Sequence, residues 1–203
     1  MKELLREVKG ELAPYGYRKT GNSFWKVENG FYKLINFQHG AYGDYFFINI
    51  GLHPVGLPSL TVGKLEIKER PREHECVIRR RIEEIAASEW FQKVLAPIHD
   101  PHTLYEIAAC VPAVESWLDH WGNFETLAGK DFSELSGMMP IAPILWRKSY
   151  DLLKCYCMIR QKDLPEAKKY FLAYLSENKE LDLSAVDRYM ESLLDDLTAS
   201  KES

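Results

Sequence analysis

Four short segments of this 203-residue chain carry side chains of the types that do chemistry. His99-Asp100-Pro101-His102 offers two imidazoles and a carboxylate, but Pro97 and Pro101 make it a loop. No third ligand follows at metal spacing, so it reads as a capping or surface segment. His74-Glu75-Cys76 has the composition of a base beside a nucleophile. In a strand, consecutive side chains point to opposite faces, so adjacency there separates the two groups. His120, between Trp117 and Trp121, reads as a helix side chain packed by indoles. Arg79, Arg80 and Arg81 alternate differently: Arg79 and Arg81 share one strand face and could clamp a carboxylate or phosphate. The competing reading pairs them with Glu83, Glu84 or the acidic second half of the chain. No nucleophile elbow, P-loop or dinucleotide fingerprint occurs. The sequence therefore assigns no catalytic residue, no metal site and no cofactor.

Composition sets the frame for these groups. With 46% hydrophobic and 28% charged residues, the chain can bury a full core, and only the tail from Thr198 to Ser203 is expected to be disordered. Cys76, Cys110, Cys155 and Cys157 form no CxxC pair, and no signal peptide precedes them; they are expected to be reduced thiols in a cytoplasmic protein. The longest uncharged run, residues 45–63, contains strand alternation, His53, Pro54, Pro58 and three glycines, so no membrane helix is expected. Charge is uneven. Residues 1–81 hold 14 Lys and Arg against 9 Asp and Glu, a balance of +5, whereas residues 82–203 hold 12 against 21, a balance of −9. The densest basic segment, residues 64–81, is interleaved with Glu66, Glu69, Glu73 and Glu75, so nucleic acid is not an expected partner.

The elements that must position the reactive groups are clearest early in the chain. Asn29-Gly30 joins two β-rich runs, 23–27 and 31–38, and the loop 39–44 leads to a third, 45–53, giving an antiparallel meander. Leu4, Leu5, Val8 and Leu12 at helical spacing predict a helix over 2–13 that covers one sheet face. Residues 60–68 are ambiguous between strand and irregular structure. A fourth strand is expected at 75–79 and a helix over 81–95, packed on the sheet. Helices are then expected at 105–109, 113–127, 144–161, 165–176 and 184–197. The fold class is thus α+β: an antiparallel meander packed by an N-terminal helix and a following helix, over residues 1–100, with an all-helical second half over 101–203.

The order Leu12-x-Pro14-x-Gly16-Tyr17-Arg18-Lys19-x-Gly21-Asn22-Ser23-Phe24, then Leu34-Ile35-Asn36-Phe37-Gln38, Phe46-Phe47-Ile48-Asn49-Ile50-Gly51 and Glu75-Cys76-Val77-Ile78-Arg79-x-Arg81-Ile82, resembles a bacterial family known as domain of unknown function 4304. The resemblance covers roughly the first half of the chain. That family commonly has a histidine after the cysteine, where this chain has Val77, which argues against a catalytic histidine there. The resemblance implies a fold and a cytoplasmic setting, and it transfers no activity. Leu152 to Gln161 followed by Leu164-Pro165-Glu166-Ala167-Lys168-Lys169-Tyr170-Phe171 is similar to a tetratricopeptide helix pair. No second copy appears at that period, so an ordinary helical hairpin is expected.

Pairing assigns the sheet faces. A two-residue turn at Asn29-Gly30 sets Phe24 opposite Ile35 and Trp25 opposite Leu34, and a symmetric second loop sets Asn36 opposite Phe47 and Leu34 opposite Asn49. One face then holds Phe24, Ile35, Phe37, Phe46, Ile48, Ile50 and Leu52, the expected core. The other holds Trp25, Tyr32, Leu34, Asn36, Gln38, Tyr45, Phe47, Asn49 and His53. Aromatic walls with a few fixed amides suit a ligand, so Trp25, Tyr32, Asn36, Gln38, Tyr45, Asn49 and His53, with Arg79 and Arg81, are the expected binding residues. The alternative is that the helical half covers this face and the amides bond loop backbone. The function expected is a non-enzymatic binding or regulatory module, with an immunity-like role as one form of it, for a protein or small ligand. The alternative is a hydrolase or nuclease-like enzyme using His53, Asn36, Asn49 and an arginine on an anionic substrate.

Overall fold

Asn29 and Gly30 both take positive φ, 52° and 81°, the pair of left-handed residues that a two-residue hairpin demands. They close β2 (Ser23–Glu28) onto β3 (Phe31–His39), with Phe24 opposite Ile35 and Trp25 opposite Leu34 as expected. In this computed structural model, which describes residues 1–41, 45–61, 64–86, 88, 90–91, 96–97, 100, 102–139, 145–177 and 182–202, β3 continues into β4 (Tyr45–Pro54). The second register differs from the expected one by two residues. Asn36 faces Asn49, and Leu34 faces Gly51, because the strands run on through His39 opposite Phe46 and the Gly40 N–H donates to the Tyr45 carbonyl. An even slip leaves every side chain on its expected face.

The antiparallel sheet has the order β1 (Arg18–Thr20), β2, β3, β4 and β7 (Ile78–Arg81), with β8 (Ala96–Pro97) pairing the start of β4. Residues 60–68, ambiguous in sequence, hold most of a separate hairpin of β5 (Ser59–Thr61) and β6 (Lys64–Glu66). The fourth long-range strand begins three residues later than expected. Glu73–Glu75 forms a 3-10 turn, in which the Glu75 carboxylate accepts from the Arg72 N–H at 2.7 Å, and the Val77 N–H donates to His53 Nδ1 at 3.3 Å rather than to a ladder. Two further expectations fail at proline and glutamate. Residues 81–86 are not helical as expected: Arg81 is strand, and Ile82–Glu84 is a 3-10 turn closed by the Glu84 carboxylate on the Arg81 N–H at 3.1 Å. The rest of that expected helix lies partly outside the described residues, as do His99 and Pro101 of the histidine loop.

The two helices expected at 105–109 and 113–127 are largely one, α2 (His102–Trp121), which passes through Pro112. Proline removes a backbone hydrogen bond there, yet Ile107, Cys110, Val111, Val114 and Leu118 are buried along the same face, and packing overrides the local cost. This helix joins α1 (Lys2–Leu12) on the sheet: Leu12, Ile107, Val111 and Val114 meet Ile35, Phe37, Ile48 and Ile50 around a small void that Ile82 also lines. Phe24, Phe37, Phe46 and Ile50 are at most 1% exposed, so the core face is as read.

The second half continues with α3 (Phe124–Gly129), α4 (Phe132–Ser136), α5 (Trp146–Arg160), α6 (Leu164–Ser176) and α7 (Ser184–Glu202), the last running through most of the expected disordered tail. Two lysines of α5 are buried among carbonyls. Lys154 donates to Ala128 and, at 2.9 Å, to Lys130 at the end of α3, while Lys148 donates to Tyr174 and Glu177 at the end of α6, at 2.9 and 2.7 Å. Burial lowers the pKa of both. Tyr156 and Tyr189 tie the helices to the sheet through the Val55 and Gly56 carbonyls, at 2.6 and 2.9 Å. No helix among the described residues is long and apolar enough to cross a membrane.

Candidate functional site

The face opposite the core divides into three parts, because the segment 70–77 crosses it. Cys76 lands on Gly51, so close that a Cβ added at Gly51 would lie 2.7 Å from the thiol sulfur. Only glycine admits this contact without displacement. On one side of that crossing lies a cavity of about 420 Å³ that includes His53, Leu57, Lys68, Cys76, and Ser149 and Leu152 of α5. On the other lies a cavity of about 460 Å³, walled by Trp25, Leu34, Asn36 and the segment 70–74. Beyond it, Gln38 is exposed and Phe47 and Arg81 are half-buried, so no helix among the described residues covers that end.

His53 is shut away from this open part. It is 3% exposed, its Nε2 is 2.9 Å from the Leu57 carbonyl, and its Nδ1 accepts from Val77. Those partners fix the tautomer, with the proton on Nε2. Burial, only partly offset by the Leu57 hydrogen bond, pulls its pKa down to about 4, so it is neutral near pH 7. Cys76 is equally enclosed, and burial first, then Glu73 and Glu75, push its thiol pKa up, which makes it an inert packing group. Both ring nitrogens of His53 being occupied, it supplies no base to the cavity that Asn36 lines.

The amides form a chain that the register explains. Asn36 and Asn49 are cross-strand partners, and Arg81 stands opposite Asn49 while Arg79 stands opposite Gly51. Asn36 Nδ2 donates to Ser23 Oγ at 2.9 Å, Asn49 Nδ2 donates to Gln38 Oε1 at 3.0 Å, and Arg79 Nη2 donates to Asn49 Oδ1 at 2.9 Å. Arg79 also pairs with the buried carboxylate of Glu73. Asn49 is fully buried, whereas Asn36 is half-buried at the cavity wall. Arg81 lies 4.2 Å from the Phe47 ring centroid, and Tyr45 packs edge-on to Phe47 at 5.6 Å. Tyr32 is buried, and desolvation raises its pKa.

The expected binding residues thus separate. Trp25 and Asn36 line the open cavity; Gln38, Arg79, Arg81 and Tyr45 form the adjoining surface, with Asn49 buried beneath it; Tyr32 and His53 belong to the covered part of the sheet. Sequence reading missed Thr20, Ser23, Arg70, Arg72 and His74, which complete the cavity. The signal for the arginines was present in the basic segment 64–81, but its glutamates cancel only some of the cations. Glu66 and Glu75 pair with Lys68, and Glu73 pairs with Arg79, leaving Arg70 and Arg72 without an ion pair among the described residues. Elsewhere, His102 pairs with Glu106 at 2.9 Å, and His120 packs edge-on to Trp121 at 5.0 Å. No group of three metal-binding side chains occurs among the described residues.

Residues 8–126 match the family described as a domain of unknown function (DUF4304), and the chain belongs to it. The match runs from the end of α1 through the sheet and α2 to the start of α3, confirming the resemblance read from the strand motifs. No curated protein and no solved structure matches the chain.

Proposed function

For a member of a family whose description names no activity, we propose that the protein is a non-enzymatic binding module that holds a small ligand in the cavity between Trp25 and the segment 70–74. The observation that supports this reading is the chain from Ser23 through Asn36, Asn49 and Arg79, a set of polar groups ordered before any ligand arrives, of which Ser23 and Asn36 stand in the wall of an open concavity beside Trp25. A concave site favours a small molecule over a flat partner protein. The hydrolase alternative draws no support from His53, whose ring is enclosed and bonded at both nitrogens. A cytoplasmic setting is part of the proposal, supported by four free, buried cysteines.

A thermal-shift screen of a metabolite library tests the reading on the full chain, with wild type beside the Trp25→Ala, Asn36→Ala double variant. The expected result is at least one compound that raises the melting temperature of wild type and leaves the variant unmoved. Compounds that stabilise both proteins equally, or none that stabilises wild type, would overturn it. Turnover of a stabilising compound would favour the hydrolase.

A further inference from the structure

The side chains that line the open cavity are rich in donors and poor in acceptors. Two hydroxyls in its wall already accept hydrogen bonds from the sheet: Thr20 Oγ1 from Trp25 Nε1 at 3.1 Å, and Ser23 Oγ from Asn36 Nδ2 at 2.9 Å. A hydroxyl carries one proton besides its lone pairs. With an acceptor position filled on each, and no bond given by either among the described residues, the Thr20 and Ser23 protons remain for something in the cavity. The opposite wall brings Arg70, Arg72 and His74. Arg70 lies 5.5 Å from the Trp25 ring centroid, and Arg18, the cross-strand neighbour of Trp25, lies 6.0 Å from it, so the indole holds two guanidiniums in place. Among the described residues, the one carboxylate in the lining is Glu73, which is buried and committed to Arg79.

Such a lining is complementary to an oxyanion, and the number of donors decides which. Two guanidiniums and two hydroxyls exceed what the two oxygens of a carboxylate can take in comfortable geometry, whereas a phosphate monoester presents three strong acceptor oxygens and nearly two charges at neutral pH. We infer that this cavity binds the phosphate group of a small soluble phosphate ester, with Arg70, Arg72, Thr20 and Ser23 as the phosphate-holding residues and Trp25 as the platform that orients Arg70. The inference rests on the binding-module reading above and names the ligand class for the same cavity.

The test is a titration of the isotope-labelled full chain with phenyl phosphate, followed by amide and indole NMR signals, with phenol and inorganic phosphate titrated alongside. The expected result is saturable movement of the Trp25 indole signal and of the amides of Thr20, Ser23, Asn36 and residues 70–74, caused by phenyl phosphate and more weakly by inorganic phosphate, and not by phenol. Arg70→Gln combined with Arg72→Gln, two exposed positions, should weaken phenyl phosphate at least tenfold and leave the melting temperature within a degree of wild type. Saturable binding of phenol at the same signals, with no response to either phosphate, would overturn the phosphate assignment and leave the binding module standing. Movement that spreads over the whole basic surface without saturation, or a response only to a polyanion such as a single-stranded oligonucleotide, would also overturn it.

Discussion

Lys26 and Lys33 stand directly opposite each other on β2 and β3, two ammonium groups on the core face of the sheet. Like charges in that relation repel. The repulsion is offset from α2, where Glu115 and Asp119, one turn apart, reach Lys26 at 2.6 Å and Lys33 at 2.5 Å, while Glu28 reaches Lys33 at 2.6 Å. Burial pulls the Lys33 ammonium toward neutrality, but its hydrogen bonds to Asp119 and Glu28 more than compensate, and its pKa is raised. Helix and sheet are therefore registered by charge as well as by packing.

Glu28→Gln with Asp119→Asn removes both carboxylates from an ammonium that is 0% exposed, and is expected to cost about 3 kcal/mol, the lower end for a broken buried pair because both carboxylates are partly exposed. Lys33→Met leaves those carboxylates to water and should cost less, about 1 kcal/mol. Urea melts of the two variants check the order; a larger loss for Lys33→Met would show that the ammonium itself, rather than its neutralisation, holds the helix.

The two asparagines should part company. Asn49, buried and bonded to Gln38 and Arg79, is expected to lose roughly 1 to 3 kcal/mol on replacement by alanine, because the Arg79 donor is left unpaired. Asn36, at the wet cavity wall, should lose less than about 1 kcal/mol. Phe46→Ala, on the core face, is expected to cost about 3 to 5 kcal/mol and serves as the scale. Equal losses at Asn36 and Asn49 would mean that Asn36 is scaffold.

Acid should expose the burial of His53. Its folded pKa, about 4, lies below the 6.5 of an unperturbed histidine, so between those values the unfolded chain takes up a proton that the folded one does not. Stability contributed by the neutral ring is complete above pH 6.5 and declines as pH falls toward 4, by about 3 kcal/mol in all. His53→Gln can keep both hydrogen bonds without titrating. The urea-melt difference between wild type and this variant should shrink from pH 7 to pH 4.5, and a constant difference would contradict the assignment.

Gly51→Ala places a methyl group against the Cys76 sulfur and is expected to destabilise the protein by about 1 to 3 kcal/mol. Adding Cys76→Ala should recover part of that loss, a coupling that a double-mutant cycle reads directly. Strict additivity of the two changes would show that the clash is relieved elsewhere.

What sequence made legible follows the range over which each rule acts. Asn29-Gly30 sets its own turn, so the first hairpin and both sheet faces could be written down from residues a few positions apart. The loop after β3 carries no such dipeptide, and its true length appears only when His39 pairs with Phe46. The cavity was half legible for the same reason: Trp25 and Asn36 follow from strand parity, whereas Arg70 and Arg72 reach the site through an irregular segment whose course depends on Cys76 meeting Gly51. Pro112 misled because a local rule was outweighed by a buried helix face that spans the whole of α2.

Lys148 and Lys154 give the helical half a further property. The carbonyls that end α3 and α6 are satisfied not by residues of those helices but by ammonium groups six positions apart on α5. Neither helix can fray at that end without stranding a buried cation, and α5 cannot loosen without uncapping two neighbours. Three segments distant in the chain are thereby bound into one opening event: their slowest amide protons should exchange with deuterium at a common rate, and a protease should find no cut within α3, α5 or α6 that leaves the remainder folded.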